Sequence, residues 1–418
     1  MNVHPFPLPE PAPVNAPPPV AVAPCTLADV DAVFKGWLGA TYDVEALHAV
    51  LAAAAAERFA GDPLWLLVVS GSGAAKTETV SALAASGALV TSTISSEGAL
   101  LSATPKKDKA VGATGGLLRR LGPRGVLVVK DLTSILSMDR HARAAVLAAF
   151  REIHDGKWDR NVGADGGRNL LWEGRLVVIA ACTTAWDRAH DVIASMGDRF
   201  VIVRMDSSQT PGRMSAGRHA CANTGVEVEM RTHLGEVVAG LLGTVDPTTV
   251  ITLTEAEQAR LLVAANVVTL ARTAVDYDYR GDVIDAHAPE MPTRFAKQLM
   301  QMVRGAVAIG LDRADAVRLA IRCARDSMPP LRLAILDDLA QHPYALTADV
   351  RRRLDKPRTT VDRQLQALHM LSVLACDEED GTHQGRDVTR WRYHVAEGID
   401  VRVLDPDAAP DLWGDIEP

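Results

Sequence analysis

Five short apolar-rich runs set the rhythm of the first half of the chain: Trp65–Ser70, Ala88–Ile94, Val126–Lys130, Leu176–Ala181 and Phe200–Met205. Runs of this length without regular polar alternation predict strands buried on both faces. Between them lie helix-period segments, Lys76–Ala85, Gly116–Leu121, Asp139–His154 and Trp186–Met196. Alternating strands and helices predict an α/β fold with a mainly parallel sheet. Ahead of the first run, Leu27–Ala60 reads as helical with a break near Gly39, and Leu47, Val50, Leu51 and Ala54 would bury one face. After Asp206 the pattern turns helical over Glu255–Val275, Pro292–Ile309 and Arg313–Asp326. Met328-Pro329-Pro330 is a boundary, since neither proline can continue a helix.

These patterns divide the chain into six parts. They are a Pro-rich tail (1–24), a helical segment (25–61), an α/β core (62–207), a helical region (208–330), a compact C-terminal unit (331–399) and a loose acidic tail (400–418). With 418 residues and 48% apolar content, two or three cores are expected. The net charge of −8 excludes a general polyanion binder, so any nucleic-acid contact needs a local basic patch. Five scattered cysteines without a CxxC pair predict neither a disulfide framework nor a zinc cluster, and point to a cytoplasmic setting. The apolar stretch Ala46–Ala56 is too short to span a bilayer, so no membrane association is expected.

The candidate chemistry starts after the first strand, at Ser70-Gly71-Ser72-Gly73-Ala74-Ala75-Lys76-Thr77. A Gly-rich turn between a strand and a helix is the context of a P-loop, whose backbone N–H groups cradle phosphates. Lys76 would reach the β- and γ-phosphates of ATP, and Thr77 would coordinate Mg2+. Ser70 and Ala75 stand where the motif has glycine. Gly125-Val-Leu-Val-Val-Lys-Asp131 is an apolar strand ending in a carboxylate. As a parallel neighbour of the P-loop strand it would bring Asp131 beside Thr77 as a second metal residue; the alternative for Asp131 is an N-cap. Leu132 follows, where a catalytic glutamate is common, which leaves Glu97 as the candidate base or else an ATP binder with slow turnover.

The order of these parts resembles the AAA+ ATPases over about 62–328. The resemblance implies a parallel-sheet P-loop NTPase core with an α-helical lid. Arg175–Thr184 resembles the sensor-1 strand, making Thr183 or Thr184 the water-orienting tip unless that threonine merely caps the next helix. Gly197-Asp198-Arg199-Phe200 resembles the arginine-finger segment, so Arg199 would act on a neighbouring subunit's ATP in a homo-oligomer or ring, or else pair with Asp198 or Asp187. Pro292-Thr293-Arg294 resembles sensor 2. Trp158–Trp172, with Asp165-Gly166-Gly167 at its centre, reads as a hairpin and is similar in position to the pore hairpin of minichromosome-maintenance helicases and enhancer-binding activators. There Arg160 and Arg168 would suit DNA.

In the C-terminal unit, three helices, 331–340, 347–354 and 358–371, precede two strands, Ser372–Cys376 and Thr389–Val395, around a polar loop 377–387. That plan is a winged helix-turn-helix, and the unit resembles regulators of the ArsR and MarR type. The third helix would enter the major groove. Residues 351–363 hold six basic and two acidic residues. The expected DNA contacts are Arg351, Arg352, Arg353, Arg358, Thr359, Thr360, Arg363 and Gln364, with Arg390 and Arg392 on the wing. Such modules also dock proteins. The expectation is an ATP- and Mg2+-binding protein acting on DNA in replication initiation, helicase work or helicase loading. The alternatives are an ATP-responsive transcription regulator and an ATP-binding scaffold without turnover.

Overall fold

The computed structural model describes residues 22–103, 114–163, 167–189, 198–205, 210–383 and 386–408. Two helices open the described chain, α1 (Leu27–Leu38) and α2 (Val44–Ala56), followed by β1 (Leu66–Val69) and α3 (Lys76–Ser81). Then come β2 (Leu89–Thr91), α4 (Glu97–Leu100), α5 (Leu117–Leu121), β3 (Arg124–Val129), α6 (Thr133–Leu136) and α7 (Arg140–His154). A ribbon follows, β4 (Lys157–Val162) and β5 (Arg168–Glu173), then β6 (Arg175–Cys182), α8 (Ala185–Arg188) and β7 (Val201–Arg204).

All five strand-like runs meet in one sheet of order β2-β3-β6-β1-β7, with every neighbouring pair parallel. The fold is therefore mixed α/β around a five-stranded parallel sheet. Strand β6 lies between β1 and β3. The expectation that Asp131 rides on the immediate neighbour of the P-loop strand is thus corrected by one strand, because the apolar runs fix which segments are strands but not their lateral order.

The two faces of the sheet have separate partners. Trp65, Leu67, Val69, Val178 and Ala180 pack on Phe150 and Ile153 of α7 and on Trp158 and Trp172 of the ribbon. The opposite face, with Leu66, Val68, Ile179 and Val203, packs on α2 and the helices beyond β7. These are α10 (Glu227–Thr244), α11 (Glu255–Ala271), α12 (Thr293–Ala308) and α13 (Arg313–Asp326), whereas α9 (Thr210–Ala222), which precedes them, adds no described residue to this core. A small antiparallel ribbon, β8 (Val275–Tyr277) and β9 (Val283–Ala286), separates α11 from α12. It replaces the expected end of a helix running to Val275.

Helix α2 was expected to bury one face, but all ten residues from Ala46 to Ala56 other than His48 are buried. Its alanines make it thin enough to lie between the sheet and α12, where Gly305 faces the Ala52 backbone. Arg175, opening β6, donates to the Glu57 carbonyl at 2.8 Å and to the Ala56 carbonyl at 3.1 Å. A cation there satisfies carbonyls that a helix end leaves unpaired.

The C-terminal unit comprises α14 (Pro330–Gln341), β10 (Ala345–Leu346), α15 (Thr347–Arg353), α16 (Arg358–Met370), β11 (Leu374–His383) and β12 (Arg386–Val395). Its three strands form an antiparallel sheet of order β10-β12-β11. The acidic run Asp377–Asp380, expected in a loop, lies within β11. It is held in extended form because Asp377 and Glu379 face Arg392 and Arg390 across the ladder. The segment expected to be a loose tail from Asp400 instead turns inward at Val401, Val403 and Leu404, which are buried in the main core. The rest of both tails, the hairpin tip at 164–166 and most of the segment 189–197 lie outside the described residues. Among the described residues no helix is long and apolar enough to cross a membrane.

Candidate functional site

The carboxyl ends of β1, β3 and β6 converge on one edge of the sheet. Ser70 leaves β1 with its N–H donating to the Cys182 carbonyl at 3.2 Å. The loop that follows exposes Gly71, Ser72 and Gly73 and buries Ala74. Gly73 has φ +80° and Ala75 φ +54°, so the chain enters α3 through two left-handed residues. For Ala75 that conformation costs about 1–2 kcal/mol, the physical reason glycine is usual at this point. Lys76 curls back over the loop and donates from Nζ to the Gly71 carbonyl at 2.9 Å. Thr77 is exposed on the first turn of α3. Partial burial lowers the Lys76 ammonium below the usual lysine range, and neighbouring Cys182 and Asp131 pull it back up.

Asp131 follows β3, anchored by its N–H to the Ser92 carbonyl at 3.0 Å. Its Oδ1 accepts from the Thr133 N–H at 2.9 Å, although Leu132, not Asp131, occupies the N-cap position of α6. It is also exposed and within electrostatic reach of Lys76. Thr183 stands at the tip of β6, where Thr133 Oγ1 lies 3.4 Å from its hydroxyl and accepts from its N–H at 3.2 Å. Thr183 Oγ1 in turn accepts from the Ala185 N–H at 3.4 Å, while Thr184 makes no side-chain cap. Thr133 was missed in the sequence; the only signal was its place two residues after Asp131. Among the described residues no cluster of three or more His, Cys, Asp or Glu side chains stands ready for an ion. A magnesium ion held by Thr77 and Asp131 would therefore complete its shell with phosphate and water, as that hard, reluctantly dehydrated ion commonly does.

Glu97 is held elsewhere. Its Oε1 accepts from Arg160 Nη2 at 2.7 Å and Nε at 3.2 Å, while Arg160 Nη1 donates to the Leu101 carbonyl at 2.6 Å. The candidate base and a candidate DNA contact thus satisfy each other, tying the β4–β5 ribbon to α4.

Arg199 and Arg294 come together at the opposite edge of the sheet. Arg199 lies two residues before β7, whose first residue is level with the start of β1. The four residues of β1 span about 13 Å between the edges. The two arginines line a cleft of about 610 Å³ with His154, Asp62, Arg175 and Lys297. Arg199 pairs with Asp155 at 3.7 Å, not with Asp198 or Asp187. Arg294 pairs with Glu290 at 2.6 Å. Neither arginine is brought to the Lys76 loop of its own chain.

His154, at the end of α7, stacks edge-on against Trp65, 5.2 Å between ring centres. Burial lowers its pKa from 6.5 to about 4; Arg199 and Arg294 push the same way and a 3.3 Å contact with Asp155 opposes them. The unfolded chain takes up a proton near pH 6.5 that the folded chain refuses until about pH 4. The associated stability is therefore complete above pH 6.5 and declines toward pH 4, by about 3 kcal/mol. Urea titrations across that range should find the slope flattened in His154→Leu; the same slope in both proteins would rule the histidine out as its source.

On α16, Arg358, Thr359 and Thr360 are exposed, as are Arg351 and Arg352 of α15. Arg353 makes a two-pronged pair with Asp338 at 2.6 and 2.7 Å. Arg363 donates to the Arg280 carbonyl of the β8–β9 ribbon. Gln364 bridges Tyr277 at 3.4 Å and Arg332 at 2.9 Å. Arg392 donates to Glu379 at 2.6 Å and to the Tyr344 carbonyl at 3.1 Å. The structure therefore leaves the start of α16 presented outward and engages Arg353, Arg363, Gln364 and Arg392 within the chain.

No family model matches the chain, and no curated protein matches it. Among solved structures, two apo A-form structures of the C-terminal region of NrS-1 align with 90% of this chain. They are 12% and 10% identical to it, are covered over 78% and 77% of their own lengths, and superpose with a TM-score of 0.28 in both cases. A likeness of that size carries neither fold nor function across.

Proposed function

We propose that the chain is an ATP-binding P-loop protein of the AAA+ type that acts on DNA through a C-terminal winged helix. The observation that carries the reading is the sheet order β2-β3-β6-β1-β7, with the Lys76 loop leaving its fourth strand. In that order Asp131 and Thr183 end the two strands preceding β1, on the edge where the loop turns. Left-handed Gly73 and Ala75 favour a concave run of N–H groups suited to phosphate oxygens. Lys76 would exchange its contact with the Gly71 carbonyl for a charge-assisted one to phosphate. Bound Mg2+ would neutralise phosphate charge, with Thr77 and Asp131 orienting its water shell. The helix–strand–helix–helix–ribbon order of residues 330–395, with the exposed start of α16, supports the DNA-reading half.

Arg199 fits a role only across subunits, since the strands separate it from its own loop. A head-to-tail neighbour would bring one copy's Arg199 edge to the next copy's Lys76 edge. Two mutants test this arrangement. Arg199→Ala should bind ATP but turn it over poorly, and mixing it with Lys76→Ala should restore part of the activity. No restoration, together with a monomer by light scattering at saturating ATP, would remove the assembly from the reading. Turnover with and without single- and double-stranded DNA is the general test: no ATP binding under any condition refutes the proposal.

A second reading has its own support. Leu132 follows Asp131, and Glu97 is bound to Arg160, so neither of these two positions offers a free carboxylate to activate water. That favours slow hydrolysis, with ATP acting as a switch in a DNA-bound regulator. DNA-stimulated turnover with strand separation favours the motor; tight binding of one duplex site without unwinding favours the switch.

A further inference from the structure

The β8–β9 ribbon touches the very helix assigned above to DNA. Its turn is well made: Asp278 Oδ1 accepts from the N–H groups of Arg280 at 2.8 Å and Asp282 at 2.9 Å, and Gly281 has φ +82°. Arg363 of α16 donates to the Arg280 carbonyl, and a side chain at Gly281 would run into the Arg363 guanidinium. At the base of the ribbon, almost fully buried Arg332 donates to the Ala271 and Thr273 carbonyls at 2.8 and 2.7 Å, and to Gln364 at 2.9 Å. Gln364 passes the connection to the Tyr277 hydroxyl. The ribbon is thus hydrogen-bonded at Arg280 and Tyr277 to consecutive residues of α16, and Arg332 links the segment leading into it to the same helix.

Its charge opposes that of the helix. Residues 275–286 contain Asp276, Asp278, Asp282 and Asp285 against the single Arg280, a net charge of −3. Asp276, Asp282 and Asp285 are exposed, and Arg280 folds back onto the Tyr279 ring, 5.1 Å from its centre. Lys356, Arg358 and Arg363 lie in and before the first turns of α16. A phosphate backbone approaching Arg363 would come up against the negatively charged ribbon, whose Asp282 follows the Gly281 that abuts the Arg363 guanidinium, and like charges repel at short range.

We propose that the β8–β9 ribbon is a built-in acidic guard that competes with duplex DNA for the basic face of α16. This inference rests on α16 being the DNA-reading helix. Binding then requires Arg363 to release Arg280 and the ribbon to swing from the helix, which weakens non-specific binding until a ligand or a matching sequence compensates.

The test uses the full chain and a short fluorescein-labelled duplex of mixed sequence, read by anisotropy over a salt series. The comparison is between wild type, Arg358→Ala, and a variant carrying Asp276→Asn, Asp282→Asn and Asp285→Asn together. The neutralised variant should bind about tenfold more tightly at low ionic strength, with the gain shrinking as salt rises. Hydrogen exchange at the amides of 275–286 should quicken when duplex is added to wild type. Unchanged or weaker binding by the neutralised variant, with Arg358→Ala still impaired, overturns the guard and leaves the reading helix standing. Tighter binding without faster ribbon exchange also overturns it, because charge alone then accounts for the gain. If no protein binds duplex at any salt, the DNA-reading assignment of α16 falls and the guard falls with it.

Discussion

Gly305→Ala is expected to destabilise the protein by about 3 kcal/mol or more, because the residue lies where two helices touch backbone to backbone. A Cβ added at Gly305 would stand 2.7 Å from the Ala52 carbonyl carbon and 3.1 Å from its Cα, and would overlap the carbonyl oxygen. Neither atom belongs to a flexible side chain that could turn aside. Helix α2 cannot retreat, since its other side is pressed on β1, β6 and β7 and its alanines are already fully buried. Protein interiors of this density transmit such an overlap instead of absorbing it. The denaturant midpoint should fall sharply, whereas Gly36→Ala, with nothing within 4 Å, should lack such a clash and shift it far less. Equal midpoints for Gly305→Ala and wild type would mean that α2 and α12 stand further apart than described.

The second large effect is on nucleotide affinity. Lys76→Ala removes the one ammonium on the loop and, with it, a charge-assisted phosphate contact of about 1.5–3 kcal/mol. Affinity for Mg-ATP should drop about tenfold to more than a hundredfold. The fold should tolerate the change, because the side chain's hydrogen bond is to the exposed Gly71 carbonyl, which water can serve equally well. Calorimetry with ATP decides the matter: undiminished affinity in the mutant would take the phosphates away from this loop.

The sheet was legible because its strands are buried on both faces, so each appears as an apolar run that hardly any other element imitates. Asp131 and Thr183 were legible for the same reason, each ending such a run. Lateral order was not, and so β6 came unannounced between β1 and β3. Helix α2 looked amphipathic because alanine counts weakly as hydrophobic, although close packing buries ten of its thirteen residues. The β8–β9 ribbon was hidden in Val275-Asp-Tyr-Asp-Tyr-Arg-Gly-Asp282, where four charges mask a three-residue strand. Engagement was the least legible property of all. Glu97 with Arg160, and Arg363 with Arg280, are separated by 63 and 83 residues, and no local pattern announces such pairs.

Strand β11 is the outer strand of its sheet, with one side of its backbone unpaired by the ladder. An open edge of this kind is a template on which a second chain can add a strand. Here the four residues Asp377 to Asp380 stand along it in succession. A copy of the same edge, aligned run against run, would bring the two acidic stretches together, with Glu378 and Asp380 among the groups that repel while Glu379 stays paired with Arg392. The acidic stretch thus has a use apart from any ligand: it keeps one molecule's ribbon from zipping onto another's.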